Sequence, residues 1–219
     1  MESFIVRDSE QNMQGQISQV CTAKASLDGT IHWLVVHIIR TDTDFEKVGK
    51  ATIAAMKLKR QGIPVEIEEV SMEEHLEWLC RMMSRSSYKM PLLGHSLDRD
   101  IQFMFKSADG FFNGDPLRFP GNQRTSWQRI NKVCTQRLIT SCCPRTHHLA
   151  NPDGKPQATL DQYTTKLIMR RQKHNSVDDV IDLVEVIKIA RAHDNFVLPR
   201  ENFMIIRPDN SVNIQEDTA

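Results

Sequence analysis

Apolar residues near the start of the chain fall into three runs that predict β-strands. The runs are residues 4–7, 19–27 and 31–40, and the third is rich in Val, Ile and Trp, which strands favour. An Asp-Gly step at Asp28 and Gly29 separates the second run from the third, and such a step is a strong hairpin signal. The pattern therefore predicts a sheet that opens with three antiparallel strands.

The apolar positions then change from strand spacing to helical spacing. Residues 44–60 follow a helical repeat, and Gly62 is placed to end that helix. Residues 63–67 predict an extended segment, after which Ser71 and Glu74 form a capping box at the start of a second helix.

The second half of the chain alternates loops with helices. A short apolar run at 91–94 predicts a strand that leads into another helix. Stretches rich in Gly, Pro, Asn or Asp predict irregular loops at 109–126 and 143–157. Helical repeats follow the remaining apolar positions, in part of 127–140, in 159–167 and most clearly in 177–192.

Length and composition place these elements in one α/β domain. The chain has 219 residues, of which 40% are hydrophobic, enough for one sizeable core. We expect the domain to span residues 1–207 and a frayed polar tail to occupy 208–219. Lys+Arg and Asp+Glu number 28 each, so any attraction to phosphate must come from local patches or bound cations.

Cysteine usage and apolar runs bear on the cellular compartment. The five cysteines are odd in number and irregularly spaced, which does not suit a disulfide framework. No uncharged apolar run is long enough to span a bilayer, and the first residues lack the features of a signal peptide. We therefore expect an intracellular protein of the cytoplasm or nucleus, neither secreted nor bound to membranes.

Three acidic segments carry the candidate chemistry. Asp8 and Glu10 lie two apart at the end of the first predicted strand, so their carboxylates share a face. Asp100 follows the strand at 91–94, and Asp179 opens the clearest helix, five residues after His174. Four carboxylates select hard cations such as Mg²⁺ or Mn²⁺, and a histidine is a suitable base near neutral pH. This set suits metal-assisted hydrolysis of phosphodiesters.

Each acid also has a purely structural interpretation. An Asp-x-Glu at a strand end is usually a solvated turn, and Asp100 suits a polar helix face. Ser176 and Asp179 fit a capping box with Ser176 as the N-cap, which would leave Asp179 with no role beyond starting the helix. Asp98 and Asp178 compete in sequence for two of the four positions.

The order and spacing of these segments resemble the three motifs of the DEDDh-type (DnaQ-like) 3′–5′ exonucleases. The first motif, Asp-x-Glu, is matched by Asp8 and Glu10. The second is matched by residues 94–100, Gly-His-Ser-Leu-Asp-Arg-Asp. The third, a histidine followed five residues later by an aspartate, is matched by His174 and Asp179. The match covers nearly the whole predicted domain.

The resemblance implies a fold and a reaction. The fold would be ribonuclease-H-like, with three antiparallel strands, then short parallel strands, and helices on both sides. His174 would be the general base, and four ligands would hold two Mg²⁺ or Mn²⁺ ions: Asp8, Glu10, Asp100 and Asp179. The substrate would be single-stranded nucleic acid or a frayed 3′ end, DNA or RNA, and the product nucleoside 5′-monophosphates. A homodimer and a polymerase partner both agree with the resemblance.

Two departures from the family pattern concern substrate contacts. Gln11, Asn12 and Met13 replace the Thr-Thr-Gly-like segment that lines the terminal nucleotide pocket in many members, so we expect them to contact substrate. In the second motif His95 and Arg99 are the corresponding candidates. Arg99 replaces a frequent aromatic residue and could contact phosphate or face solvent.

Other patterns leave alternatives open. A basic run precedes His174: Lys166, Arg170, Arg171 and Lys173. It is either a solvated face or a contact for the substrate backbone. Phe111 and Phe112 either stack on bases or anchor a loop. Residues 142–148 lack the usual zinc-ligand spacing, so we expect a helix end and a loop there.

Two alternatives to an exonuclease apply to the whole chain. The first is a non-catalytic ribonuclease-H-like interaction module, such as a polymerase-associated subunit. The second is an unrelated α/β domain with acids scattered over its surface.

Overall fold

The computed structural model describes residues 3–40, 45–85, 90–97, 99–100, 103–104, 132–142, 159–193, 196, 198, 204–206 and 212–214. The strands are β1 Ser3–Gln11, β2 Ile17–Ser26, β3 Ile31–Ile39, β4 Val65–Val70, β5 Leu92–Gly94, β6 Lys132–Cys134, β7 Met204–Ile206 and β8 Val212–Ile214. The helices are α1 Phe45–Arg60, α2 Met72–Arg85, α3 Thr135–Cys142, α4 Leu160–Leu167 and α5 Ser176–Arg191. Residues 97, 99–100 and 103–104 are also helical.

Six of these strands form one mixed sheet, in the order β4-β3-β2-β1-β5-β6. The neighbours β1, β2 and β3 pair antiparallel, whereas β4, β5 and β6 each pair parallel with their neighbours. This arrangement confirms the prediction of an α/β domain whose mixed sheet begins with antiparallel strands.

The hairpin between β2 and β3 forms at the predicted Asp-Gly step. Gly29 has a φ of 90°, a conformation that glycine adopts without strain. Oδ1 of Asp28 accepts a hydrogen bond from the backbone N of Thr30 over 3.0 Å and so closes the turn. The predicted hairpin is confirmed.

Alternation along β1 divides the core between the two faces of the sheet. Phe4 and Val6 belong to a cluster with α1 and α5, while Ile5 belongs to a second cluster with α2. Successive side chains of a strand point to opposite faces, so Asp8 and Glu10 continue the row that faces α5. Arg7 continues the row of Ile5 on the opposite face.

The first strand is longer than its apolar run. A strand over residues 4–7 was predicted, but β1 continues through the acidic pair to Gln11. Its backbone stays paired with β2 there, because Asp8 lies opposite Cys21 and Glu10 opposite Gln19. Backbone pairing does not require apolar side chains, and the two acids therefore lie in a strand rather than a solvated turn.

The predicted start of α2 and the predicted end of α1 are confirmed. The backbone N of Ser71 donates to Oε2 of Glu74 over 2.6 Å, and the backbone N of Glu74 donates to Oγ of Ser71 over 3.1 Å. This is the predicted capping box at the start of α2. Gly62, with a φ of 87°, follows α1 where the helix was expected to end.

Short strands were harder to predict. The extended segment predicted at 63–67 overlaps β4, which spans Val65–Val70 at one edge of the sheet. At the other edge, β6 lies within 127–140, where a helix was predicted over part of the stretch and no strand was expected. Residues 212–214, from the predicted tail, form β8 and pair with β7.

Phe111, Phe112 and most of segment 142–148 lie outside the described residues. Within the described ranges, no helix combines the length and apolar character that crossing a bilayer requires.

A buried histidine pair lies between the sheet and α2. Nδ1 of His37 on β3 and Nδ1 of His75 on α2 are 2.7 Å apart, and Trp78 packs against both rings. Burial, and then the charge of Arg7, lowers the pKa of His37 to about 4. The same two causes, followed by His37, hold the pKa of His75 well below its usual range. Both histidines are therefore neutral in the fold, although Oε2 of Glu68 lies 3.8 Å from Nε2 of His37.

We predict that this pair makes the fold sensitive to acid. Below about pH 6.5 the unfolded chain protonates histidines that the folded protein keeps neutral, so stability is lost as the pH falls toward 4. Each histidine adds at most about 1.4 kcal/mol per pH unit to this slope. Urea unfolding between pH 7 and pH 4.5 should show a shallower loss for the double variant His37→Gln/His75→Gln. The exposed His174→Gln variant is the control, and an equal slope in all three proteins would contradict the prediction.

Candidate metal centre

Three of the four predicted ligands meet between β1 and α5. One carboxylate oxygen from each of Asp8, Glu10 and Asp179 lies within 4.8 Å of the other two. Asp8 and Glu10 come from the α5-facing row of β1, and Asp179 comes from the first turns of α5. Side chains 171 residues apart in sequence, from Asp8 to Asp179, are thus brought to one place by the packing of α5 on the sheet.

The start of α5 separates the roles of two adjacent aspartates. The N-cap is Asn175, and the predicted cap at Ser176 was wrong. Oδ1 of Asn175 accepts from the backbone N of Asp178 over 3.0 Å, and its Nδ2 donates to Oδ2 of Asp178 over 2.8 Å. Asp178 therefore completes the cap, while Asp179, about 100° further round the helix, faces β1. The structural interpretation of Asp179 as a capping residue no longer applies.

Ser176 fixes α5 against the sheet instead of capping it. Its Oγ donates to Oε1 of Gln19 over 3.0 Å, and both residues are fully buried. Gln19 lies opposite Glu10 in the pairing of β1 with β2. This hydrogen bond sets the distance between the first turn of α5 and the acidic end of β1.

Asp100 lies near this group, although the three-carboxylate cluster does not include it. It is buried on the helical segment after β5. After burial and the charge of Asp179, its charge is the next cause that raises the pKa of Asp8. Burial lowers the pKa of Arg7, and the charge of Asp100 partly offsets that lowering. Gly94 allows β5 to come this close: a Cβ at that position would be 3.2 Å from the carbonyl oxygen of Arg7 and 2.9 Å from Cδ1 of Leu97. The second motif is thereby held beside the first.

Burial and mutual repulsion disfavour full ionisation of the cluster. Burial, followed by the charges of Asp179, Asp100 and Glu10, raises the pKa of Asp8 well above its usual range. Burial is also the main cause that raises the pKa of Asp179 to about 8. A hydrogen bond from Gln172 lowers this pKa, whereas the charges of Glu10 and Asp178 and a hydrogen bond with Glu10 raise it further. Cys21, opposite Asp8, is buried and has a raised pKa for related reasons. Without a cation, this cleft retains protons at neutral pH.

The donor atoms fit a hard divalent cation. They are carboxylate oxygens, the ligand type that Mg²⁺ and Mn²⁺ prefer. Oδ1 of Asp179 is buried, and within the described part of the chain no donor from outside the acidic cluster reaches it. A buried oxygen of this kind is costly unless it gains a partner, and a cation shared with Asp8 and Glu10 could be that partner.

His174 lies on the loop immediately before the N-cap of α5. It is exposed and has a φ of 53°, in the left-handed region that few residues other than glycine adopt. Among the described residues, no hydrogen bond joins its ring to the carboxylates. A base that removes a proton from water needs to reach that water, and the role of His174 stays a prediction.

The residues after the first motif form a tight turn. Oδ1 of Asn12 accepts from the backbone N of Gln14 over 3.0 Å and from that of Gln16 over 2.9 Å. Asn12 is therefore occupied in shaping the turn, whereas the Met13 side chain, 95% exposed, projects from it. Gln11 ends β1 and is partly buried. Of the three predicted substrate contacts, Met13 has the most accessible surface.

His95 and Arg99 have aromatic neighbours. The His95 ring meets the ring of Tyr163 edge-on, with 5.4 Å between centroids. Arg99 is exposed and lies over the ring of Phe103, 5.6 Å from its centroid. The structure brings His95 against α4 and leaves the Arg99 side chain at the surface.

Two residues of the basic run before His174 form ion pairs with α5. Arg170 forms an ion pair with the buried Asp182 of α5, and Nζ of Lys173 lies 2.8 Å from Oδ1 of Asp178. Lys166 and Arg171 are exposed. Arg170 thus joins the loop to α5.

Two residues next to the acidic cluster, Arg7 and Gln172, were not among the predicted site residues. Arg7 is fully buried beneath Asp8, where its Nη1 donates to Sδ of Met104 over 3.2 Å. A charged residue within an apolar strand was the available signal for it. Gln172 donates from Nε2 to Oδ2 of Asp179 over 2.6 Å, and nothing in the sequence distinguishes this glutamine from a loop residue.

No known protein-family model matches this chain, and the search of curated proteins gives no match either. The chemistry of the site must therefore be argued from its own residues.

We predict that the metal-free protein loses stability as the pH rises. Since the folded pKa of Asp179 is about 8, the folded protein binds more protons than the unfolded chain from about pH 4 to pH 8. In chelator, the midpoint of thermal unfolding should be lower at pH 9 than at pH 6, and Mn²⁺ should restore it at pH 9.

Asp179→Asn removes one repelling charge, so its unfolding midpoint in chelator should change less between pH 6 and pH 9. Asp28→Asn is the control, because Asp28 has a lowered pKa and stays ionised across this range. An identical pH dependence in the wild type and Asp179→Asn would show that the cluster does not repel.

Proposed function

We propose that this protein is a metal-dependent 3′–5′ exonuclease of the DEDDh type. The observation that carries the proposal is the meeting of Asp8 and Glu10 on β1 with Asp179 on α5. The three residues hold the places in sequence that the exonuclease motifs require, and their carboxylates lie close enough to share a cation. Asp100, whose charge acts on Asp8, supplies the fourth carboxylate.

The sheet supports a ribonuclease-H-like fold. Three antiparallel strands, β3-β2-β1, are followed across the sheet by the parallel strands β5 and β6, which is the arrangement that such a fold implies. In this proposal β4 is an added strand at the outer edge of β3. The acidic pair then lies at the end of the central strand, where both neighbouring strands and α5 can support it.

The four carboxylates would hold two Mg²⁺ or Mn²⁺ ions, with Asp8 the best placed to contact both. When bound, such ions balance the charge that develops on the attacking and leaving oxygens. His174 accepts the proton that water loses as its oxygen bonds to phosphorus and the bond from phosphorus to the 3′ oxygen breaks. The products are a nucleoside 5′-monophosphate and a strand shortened by one nucleotide, with a new 3′ hydroxyl.

The substrate we propose is single-stranded nucleic acid or a frayed 3′ end, because an exposed end must reach between the β1 turn and the loop before α5. Met13 projects from that turn, and Arg171 is exposed on that loop. An apolar side chain can contact a base and an arginine can contact a phosphate. DNA and RNA both meet these requirements.

We predict that single substitutions in the site abolish this activity. With Mg²⁺ or Mn²⁺, the wild type should shorten 5′-labelled DNA or RNA oligomers stepwise from the 3′ end, and chelator should stop it. Asp8→Asn removes a cation ligand and should leave no measurable cleavage. His174→Ala removes the base, which typically costs about 10²–10⁴-fold in rate.

Asp28→Asn and His193→Ala, which lie outside the acidic cluster, serve as controls and should cleave like the wild type. Robust cleavage by both site variants would refute the proposal. A wild type that cleaves neither oligomer under any of these conditions would instead favour the non-catalytic interaction module.

We also predict different effects for the two neighbouring arginines. Arg171→Ala should weaken oligonucleotide binding and reduce the slope of log affinity against log salt by about 1, because one phosphate contact is lost. Arg170→Ala should chiefly lower stability, by about 1–3 kcal/mol, because it leaves buried Asp182 without its cation. Fluorescence anisotropy at several salt concentrations and urea unfolding separate the two effects. An unchanged salt slope in Arg171→Ala would mean that this cation faces solvent only.

A further inference from the structure

Gln172 touches the candidate metal centre without offering it a carboxylate. Its Nε2 donates to Oδ2 of Asp179 over 2.6 Å. The other carboxylate oxygen, Oδ1, is buried, and within the residues that the structure describes no donor from outside the acidic cluster reaches it. The two oxygens of Asp179 thus have different surroundings, since an amide holds one and the other is left for the cluster with Asp8 and Glu10.

The position of Gln172 does not depend on Asp179. Its backbone N donates to Oδ1 of Asp161, in the first turn of α4, over 2.8 Å. Ion pairs on each side fasten the same segment to α5, Arg170 with Asp182 and Lys173 with Asp178. The amide is therefore presented to Asp179 by a backbone that other contacts already fix.

The geometry of the loop and the helix explains why these contacts occur together. Asp179 and Asp182 lie three residues apart on α5, so their side chains share one face of the helix. Arg170 and Gln172 lie two apart in the loop, and their side chains reach Asp182 and Asp179 on that face. The loop before α5 runs along that face and supplies one donor to each buried aspartate.

We infer that Gln172 is a positioning residue of the metal centre. By holding Oδ2, it fixes the plane of the Asp179 carboxylate and leaves Oδ1 directed at the place where a divalent cation would be shared with β1. Outer partners of metal ligands typically change metal affinity about 10–100-fold. The inference rests on the proposed function, because that proposal is what makes Asp179 a ligand.

The test measures metal binding directly. Gln172→Met and Gln172→Leu keep the bulk of the side chain but lack the donor. Titration with Mn²⁺, followed by electron paramagnetic resonance or calorimetry, should show affinity at least about tenfold weaker than that of the wild type in both variants. Thermal unfolding in chelator checks that both are folded. Gln61→Met, at the exposed end of α1, is the matched glutamine control and should bind Mn²⁺ like the wild type.

Arg170→Met distinguishes positioning from loop packing. It removes one of the contacts that hold the loop, but the backbone bond from Gln172 to Asp161 and the ion pair of Lys173 with Asp178 remain, so the bond between Gln172 and Asp179 should be retained. Its Mn²⁺ affinity should therefore stay within about threefold of that of the wild type, a smaller change than the loss of an outer partner causes. Equal weakening by Arg170→Met and Gln172→Met would mean that loop rigidity alone matters. That result would overturn the assignment of Gln172.

The remaining outcomes separate this inference from the proposed function. If the wild type binds Mn²⁺ and both Gln172 variants match it, the inference fails while the metal centre stands. If the wild type binds no Mn²⁺, the metal centre and the proposed function fail with it. If Mn²⁺ binding weakens as expected but no oligomer is cleaved, Gln172 retains its role and the nuclease proposal fails.

Discussion

The crowding of like charges between β1 and α5 is the constraint on which this structure depends. Asp8, Glu10 and Asp179 are partly or wholly removed from water and lie within 4.8 Å of one another. Water would screen such charges, but a buried cleft does not, so carboxylates held there must retain protons or share a cation. The surrounding contacts keep them together in spite of this cost: the pairing of β1 with β2, the bond between Ser176 and Gln19, and the cap at Asn175. These contacts involve backbone or neutral side chains, and none relieves the repulsion itself.

Much of the fold could be predicted because its signals are local. The Asp-Gly step fixed the hairpin, the alternation of apolar residues located the first three strands, and Ser71 with Glu74 marked the start of α2. The three-residue strands β5 and β6 depend on neighbours that are distant in the chain, and only β5 followed a visible apolar run. The length of β1 was underestimated for the same reason. Its last four residues are polar, and their strand conformation depends on β2.

The acidic residues that meet between β1 and α5 could be predicted from the sequence, but the residues that support them could not. Asp8, Glu10 and Asp179 could be selected as candidate ligands because the order and spacing of the acidic segments can be read from the sequence. The role of Asp178 could not be predicted, because successive side chains of a helix differ in direction by about 100°. A cap that lies one residue earlier therefore involves a different aspartate. Ser176 was expected to cap α5, yet Asn175 does so, and the cap therefore engages Asp178 rather than Asp179. Arg7 and Gln172 come close to the acidic cluster only in the folded chain, so the sequence alone does not reveal that they belong to the site.

Under the proposed function, in which Asp100 joins the three clustered carboxylates, the charge balance favours two cations over one. Four carboxylates bring four negative charges, and Arg7, buried beside Asp8 and Asp100, returns one positive charge. One divalent cation would leave the cleft negative, and a phosphodiester would then be repelled. Two divalent cations make the same cleft slightly positive, so that one phosphodiester charge neutralises it. A chain with no net charge could in this way attract its substrate through the site itself. The positive charge of Arg7, which burial makes costly, then has a reason to lie on the far side of the strand that carries Asp8.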